Sequence, residues 1–283
     1  MNAALERSFK KMKNLSSRAL SAIAALSLMV AALYYGQTLG IFALTLFVVV
    51  RGSFEIARMF FSQDYPRFVK RLFVSLATFV FIVITLDRFS YLANFGMIFS
   101  FVFVASFGVL FHKSFTNLDQ ILTFVAKNCL GLIYTSFLPA TVIWMSKSTN
   151  GIEWFLCLLA VVFAGDIGAY IFGVTMGKTK VAPTLSPNKS LEGAMGGLLF
   201  SVATAIGFHF IIPDVPLYVM MPLGLFGGFF GQIGDFFESL IKRVSGVKDS
   251  GSIMPGHGGV LDRLDGVLLA APIFYLVAAA LSK

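Results

Sequence analysis

The sequence predicts an all-α fold: a polytopic transmembrane helical bundle of about nine spans, with its N-terminus on the cytoplasmic side. Three observations predict it. Of the 283 residues, 57% are hydrophobic and only 13% are charged, against about 25% charged in a soluble domain. The mean hydropathy is +0.84. The apolar stretches are continuous, without the alternation of a membrane barrel, and the Lys and Arg residues cluster between them. A soluble chain this apolar cannot cover its surface with polar groups. Helices in lipid need not, because their backbone groups are satisfied internally.

The expected spans are 19–35, 38–50, 72–86, 89–111, 121–145, 152–175, 193–212, 216–238 and 260–282. Between Arg18 and Arg51 lie 32 uncharged residues, more than the roughly 20 one crossing needs. Gly36 and Gln37 predict a turn that splits them into a short hairpin. Arg7, Lys10, Lys11, Lys13 and Arg18 precede the first span without a small-residue cleavage site. That stretch reads as a retained cytoplasmic tail rather than a signal peptide. With the tail inside, all 22 Lys and Arg residues except Arg88, Lys147 and Lys283 fall in cytoplasmic segments or beside them, the bias the positive-inside rule requires. Residues 1–150 then form an N-terminal block of five spans. Residues 151–283 form a second block with two polar cytoplasmic loops.

Composition narrows the function classes. The net charge of +8 is accounted for by basic loops lying against anionic headgroups, each Lys or Arg contributing about 1 kcal/mol. Arg51, Arg58, Arg67, Lys70 and Arg71 therefore point to membrane lipid, not to nucleic acid. Cys129 and Cys157 sit in apolar spans with no Cys or His partners at metal-binding spacing, which argues against zinc. No inverted repeat is visible, which weakens a secondary-transporter reading.

The chemistry is concentrated in the two loops. The first runs from Asp166, a carboxylate inside an apolar run, through Ala169, Tyr170, Gly173 and Gly177 to Ser186, Pro187, Lys189, Ser190, Glu192 and Gly193. An intramembrane carboxylate needs a partner, a cation or an aqueous cavity. Ser186-Pro187 predicts a turn, and Ser190 to Gly193 the start of a helix whose amides suit an anion. An ordinary helix cap with snorkelling lysines fits this loop equally well.

In the second loop, Asp235 lies one helical turn from Glu238 and Ser239, so these side chains share a face. Lys242, Arg243, Lys248 and Asp249 follow, then His257, Gly258 and Gly259, then Asp262, Arg263 and Asp265. Carboxylates converging from two helices make an all-oxygen site suited to Mg²⁺ shared with phosphates, and the basic residues suit the remaining phosphate oxygens. That is the equipment of phosphoryl or nucleotidyl transfer. Interhelical salt bridges, such as Asp262 with Arg243, or a structural cation site are the alternatives. His257 is as well suited to holding loop backbone as to moving a proton.

These residues resemble the phosphatidate cytidylyltransferase (CDP-diacylglycerol synthase) family. The family's C-terminal motif is matched without insertion from Ser239 to Asp265, and its Ser-Pro-x-Lys-Ser-x-Glu-Gly element from Ser186 to Gly193. Upstream, Asp166 with Ala169 and Tyr170 also matches. The resemblance is strong over 160–270 and weak before it, where little beyond Glu55 matches. It implies a nucleotidyltransferase that converts CTP and phosphatidate to CDP-diacylglycerol and pyrophosphate in phospholipid biosynthesis. It implies Asp235, Asp262 and Asp265 as carboxylates for Mg²⁺, with a second cation as an option. Lys242, Arg243, Lys248 and Arg263 then hold triphosphate or lipid phosphate, and Asp249 orients a basic neighbour or a metal-bound water. Ser186, Lys189, Glu192, Ser239 and His257 line the substrate site. The charge bias puts both loops, and so the active site, on the cytoplasmic face of what is expected to be a bacterial inner membrane, and the resemblance implies a homodimer. A CTP-dependent lipid kinase of the polyprenol type is the rival enzyme, and an anion transporter the rival of another class.

Overall fold

The computed structural model describes residues 3–61, 65–86, 90–112, 115–253 and 258–282, and it is a bundle of apolar helices. In chain order these are α1 (Ala3–Phe60), α2 (Arg67–Leu86), α3 (Ser90–Leu110), α4 (Leu118–Leu132), α5 (Leu138–Ser146), α6 (Gly151–Thr175), α7 (Leu191–Phe208), α8 (Leu217–Val244) and α9 (Leu261–Leu281). Seven helical stretches among the described residues are long and apolar enough to cross a membrane. The protein is an integral membrane protein. Large side chains such as Phe79, Phe101, Leu199, Phe229 and Leu276 lie exposed on the outside, where lipid replaces water.

The first two expected spans both lie in α1. The helix leaves helical geometry at Gln37 (φ 47°, ψ −126°), where Gly36-Gln37 predicts a turn, and the backbones of Ala32 and Gly40 come together at that break. The expected span 121–145 becomes α4 and α5 joined by a π-helical turn, Ile133–Phe137. The wide turn buries three successive residues, Tyr134, Thr135 and Ser136, which an ordinary amphipathic helix does not do.

One element departs from the all-α expectation. Lys180–Ala182 (β1) and Ser186–Ser190 (β2) form an antiparallel ribbon. Ser186-Pro187 therefore begins a strand instead of making a turn. The reversal lies at 183–185, where the amide of Leu185 donates to the carbonyl of Ala182. The expected start of the next helix holds: Ser190 Oγ accepts from the amide of Gly193 and caps α7.

α6, α7, α8 and α9 pack on one another. Small residues permit the close approach that lipid-embedded helices depend on. A Cβ at Gly228 meets Ser201 Oγ at 2.5 Å, and one at Gly224 meets Val202 Cα at 2.7 Å, so α8 and α7 run nearly backbone to backbone. One buried cluster joins Trp154, Leu158, Val161, Leu223, Ala270 and Phe274. A second, including Ile56, Phe61, Phe73, Tyr134, Ile241 and Leu261, links α1 and α2 to the adjoining ends of α8 and α9, where the polar residues gather.

Candidate active site

Lys242, in the last turn of α8, binds two carboxylates at once. Its Nζ donates to Glu238 Oε2 and to Asp262 Oδ1, each at 2.7 Å. The three side chains are 15%, 1% and 9% exposed. Removing such charges from water is expensive unless they pair and hydrogen-bond, and here one ammonium serves two acids. The alternative pairing of Asp262 with Arg243 does not form. Arg243 is exposed and its Nε donates to the carbonyl of Leu185 in the ribbon turn, at 3.3 Å.

Asp262 is held further. Its Oδ2 accepts from the amides of Gly259 (2.7 Å) and Ser250 (3.0 Å), and Ser250 Oγ lies 3.0 Å from the same oxygen. Asp235 pairs with Lys189 of β2, whose ammonium also lies 4.4 Å from the ring centroid of Phe236, a favourable cation–π placement. The ribbon is thereby tied to α8. Asp265 lies within electrostatic reach of Asp235, Glu238 and Lys242. Asp166 lies within reach of Asp235, Asp265, Lys189 and Arg263. Both polar loops thus meet at one place, with Asp166, Lys189, Asp235, Glu238, Lys242, Asp262 and Asp265 in a single cluster.

The other expected residues lie on the same two loops and the helix ends beside them. Glu192 is the clamp of the ribbon, accepting from the amides of Lys178 and Thr179 at 3.0 and 3.2 Å. Ser186 and Ser239 are half-buried, while Lys248, Asp249 and Arg263 are exposed. His257, with Pro255 and Gly256 before it, lies outside the described residues.

Three members were not singled out as site residues from the sequence. Glu238 is fully buried, and its Oε1 has no hydrogen-bond partner among the described residues. Tyr134, from the π-turn, is 1% exposed, and its hydroxyl has no hydrogen-bond partner among the described residues. Its ring lies 5.5 Å from that of Phe237, and it feels all four carboxylates of α8 and α9. Ser250 bridges to Asp262. The shared helix face of Asp235 and Glu238 was the available signal for Glu238; nothing in the local sequence marks Tyr134.

Could this cluster hold a metal? Among the described residues no three His, Cys, Asp or Glu side chains form a cage on their own. Mg²⁺ keeps several waters and takes one or two carboxylates plus substrate phosphates. Carboxylates outnumber the cations paired to them, and one buried carboxylate oxygen is orphaned. The donor set fits a divalent ion completed by an anionic substrate.

A model of the cytidylyltransferase family matches residues 16–281. The chain belongs to that family. Among its relatives, phosphatidate cytidylyltransferase of Staphylococcus aureus (strain COL) is 35% identical over 175 residues, 62% of this chain and 65% of the relative. The Staphylococcus haemolyticus protein of the same name is 35% identical over 173 residues, 61% and 64% of the two chains. That of Staphylococcus epidermidis (strain ATCC 35984) is 34% identical over 183 residues, 64% and 68%. The matched stretch thus spans just under two thirds of the length of the Staphylococcus aureus relative. Family membership agrees with the motifs that form the cluster.

Proposed function

We propose that the protein is a phosphatidate cytidylyltransferase, transferring the cytidylyl group of CTP to phosphatidate. The observation that carries this reading is the meeting of Lys189-Asp235 with the Glu238-Lys242-Asp262 bridge. Carboxylates for a metal and cations for phosphates then surround one anionic reaction centre. A phosphatidate oxygen forms a bond to the α-phosphorus of CTP, and the bond from that phosphorus to the bridging oxygen breaks. CDP-diacylglycerol and pyrophosphate result. The nucleophile is already an anion at neutral pH, so no protein base is required, and no Ser/His/Asp relay occurs in the motifs.

Asp235, Asp262 and Asp265 would hold Mg²⁺, with the orphaned oxygen of Glu238 beside them and a second cation as an option. When bound, the ion withdraws charge from the leaving pyrophosphate. Lys189, Arg243, Lys248 and Arg263 orient the triphosphate and the lipid phosphate. Lys242 bridges Glu238 and Asp262 and offsets the repulsion between them. Ser186, Ser239 and His257 complete the substrate site, and Asp249 orients a basic neighbour. Glu192 supports Lys189 from behind by fixing the ribbon.

The basic bias of the loops supports a cytoplasmic site, where CTP is found, in the inner membrane of a bacterium. A homodimer accompanies this reading through family resemblance. Purified protein given labelled CTP, phosphatidate and Mg²⁺ is expected to yield a lipid bearing cytidine. Release of free CDP with a phosphorylated alcohol indicates the lipid kinase instead, and Mg²⁺-independent anion flux into sealed vesicles indicates a transporter.

A further inference from the structure

Glu55 lies near the C-terminal end of α1, far in sequence from the polar loops, and is 4% exposed. Its Oε1 accepts from the amide of Val260 at 2.9 Å, and its Oε2 from the amide of Leu261 at 3.0 Å. These amides open α9, where a carboxylate is favoured by the helix dipole and by unsatisfied N–H groups. Ser250 Oγ lies 3.0 Å from Glu55 Oε2 and 3.0 Å from Asp262 Oδ2. A hydroxyl has one hydrogen to donate, so Glu55 and Asp262 share it. Ser250 is itself 2% exposed. Glycines make room: a Cβ at Gly251 meets Glu55 Oε1 at 2.7 Å, and one at Gly259 meets Glu55 Oε2 at 2.5 Å.

We propose that Glu55 is a positioning residue, fixing Asp262 through the shared hydrogen of Ser250 and through the opening amides of α9. The proposal rests on the cytidylyltransferase reading for its consequence in turnover. The geometry calls for a carboxylate. Three donors converge on the two oxygens of Glu55, and a glutamine presents N–H hydrogens to at least one of them. A role in positioning differs from mere support, because displacement of Asp262 slows the chemical step without weakening lipid capture. An aspartate at 55 keeps the charge but draws it back by one methylene, and should restore part of the rate.

The test compares Glu55→Gln, Glu55→Asp, Ser250→Ala and the Glu55→Gln/Ser250→Ala pair with wild type. Trp154→Phe, in the buried core near the start of α6, serves as a stability control. Glu55→Gln should lower kcat at least tenfold with the KM for phosphatidate within twofold, and Glu55→Asp should recover several-fold of that loss. Ser250→Ala should lower kcat in the same direction. The double variant should fall no further than the worse single one, since both break one chain of contacts. Wild-type kcat in folded Glu55→Gln overturns the proposal. So do fully multiplicative losses in the double variant, or an equal kcat loss in Trp154→Phe at an equal fall in melting temperature. If Glu55→Gln does not fold, Ser250→Ala decides, and wild-type kcat there overturns it. If wild-type protein makes no cytidylylated lipid, the proposed function fails and hydrogen exchange decides the role of Glu55. Exchange at the amides of residues 259–261 should then quicken at least tenfold in Glu55→Gln; unchanged exchange overturns the proposal.

Discussion

Two lysines of the site differ in setting. Lys242 is 15% exposed and lies between carboxylates that are 1% and 9% exposed, whereas Lys189 and Asp235 are 29% and 38% exposed. Lys242 is thus part of the scaffold, its charge already engaged by two buried acids. Lys189 rides on the ribbon and keeps one open side, where an incoming phosphate can compete with Asp235. The contrast separates a charge locked between buried acids from one that the proposed function assigns to the substrate.

The strongest way to break the comparison is at Lys242. Lys242→Met strands two buried carboxylates, and loss of one partner of a buried pair costs about 3–5 kcal/mol. Thermal melting in detergent should show a large drop, and turnover should vanish. Asp262→Asn and Asp265→Asn should each lower kcat by at least 10²-fold with the fold retained, measured by turnover beside a melting curve. Normal turnover in both removes the metal assignment. Lys189→Ala should raise the KM for CTP or phosphatidate about tenfold and cost at most about 1 kcal/mol in stability, as partly exposed pairs do. A collapse in melting temperature like that of Lys242→Met would erase the distinction. Gly228→Leu should reduce activity several-fold by forcing α7 and α8 apart at Ser201; unchanged activity in a well-expressed variant rejects close packing as a requirement. Smallest of all, Glu192→Gln should weaken turnover modestly, because Lys178 and Thr179 keep one acceptor.

Much of this was legible in the sequence, for physical reasons. Long apolar runs dictate helices in lipid, and the one-turn spacing of Asp235 with Glu238 and of Asp262 with Asp265 places each pair on one face. The Ser190 cap was readable because a serine followed by Glu192 and Gly193 offers its oxygen to an orphan amide. The ribbon was not, because β1 and β2 are short and held partly by Glu192 from outside the strands. The pairing of Asp262 with Lys242 in preference to Arg243 depends on how α8 meets α9, where Gly234 packs against the Asp265–Gly266 backbone, a tertiary fact no local pattern encodes. Tyr134 reaches the cluster through a π-turn, which shifts side-chain directions that ordinary helical periodicity assigns.

The contact between Glu55 and Val260 closes a gap of 205 residues. A ribosome releases the chain from its N-terminus, so the acid of the early helix waits for donors until nearly the whole polypeptide has been made. Truncation before the final helix therefore removes the amides of Val260 and Leu261 that hold that carboxylate.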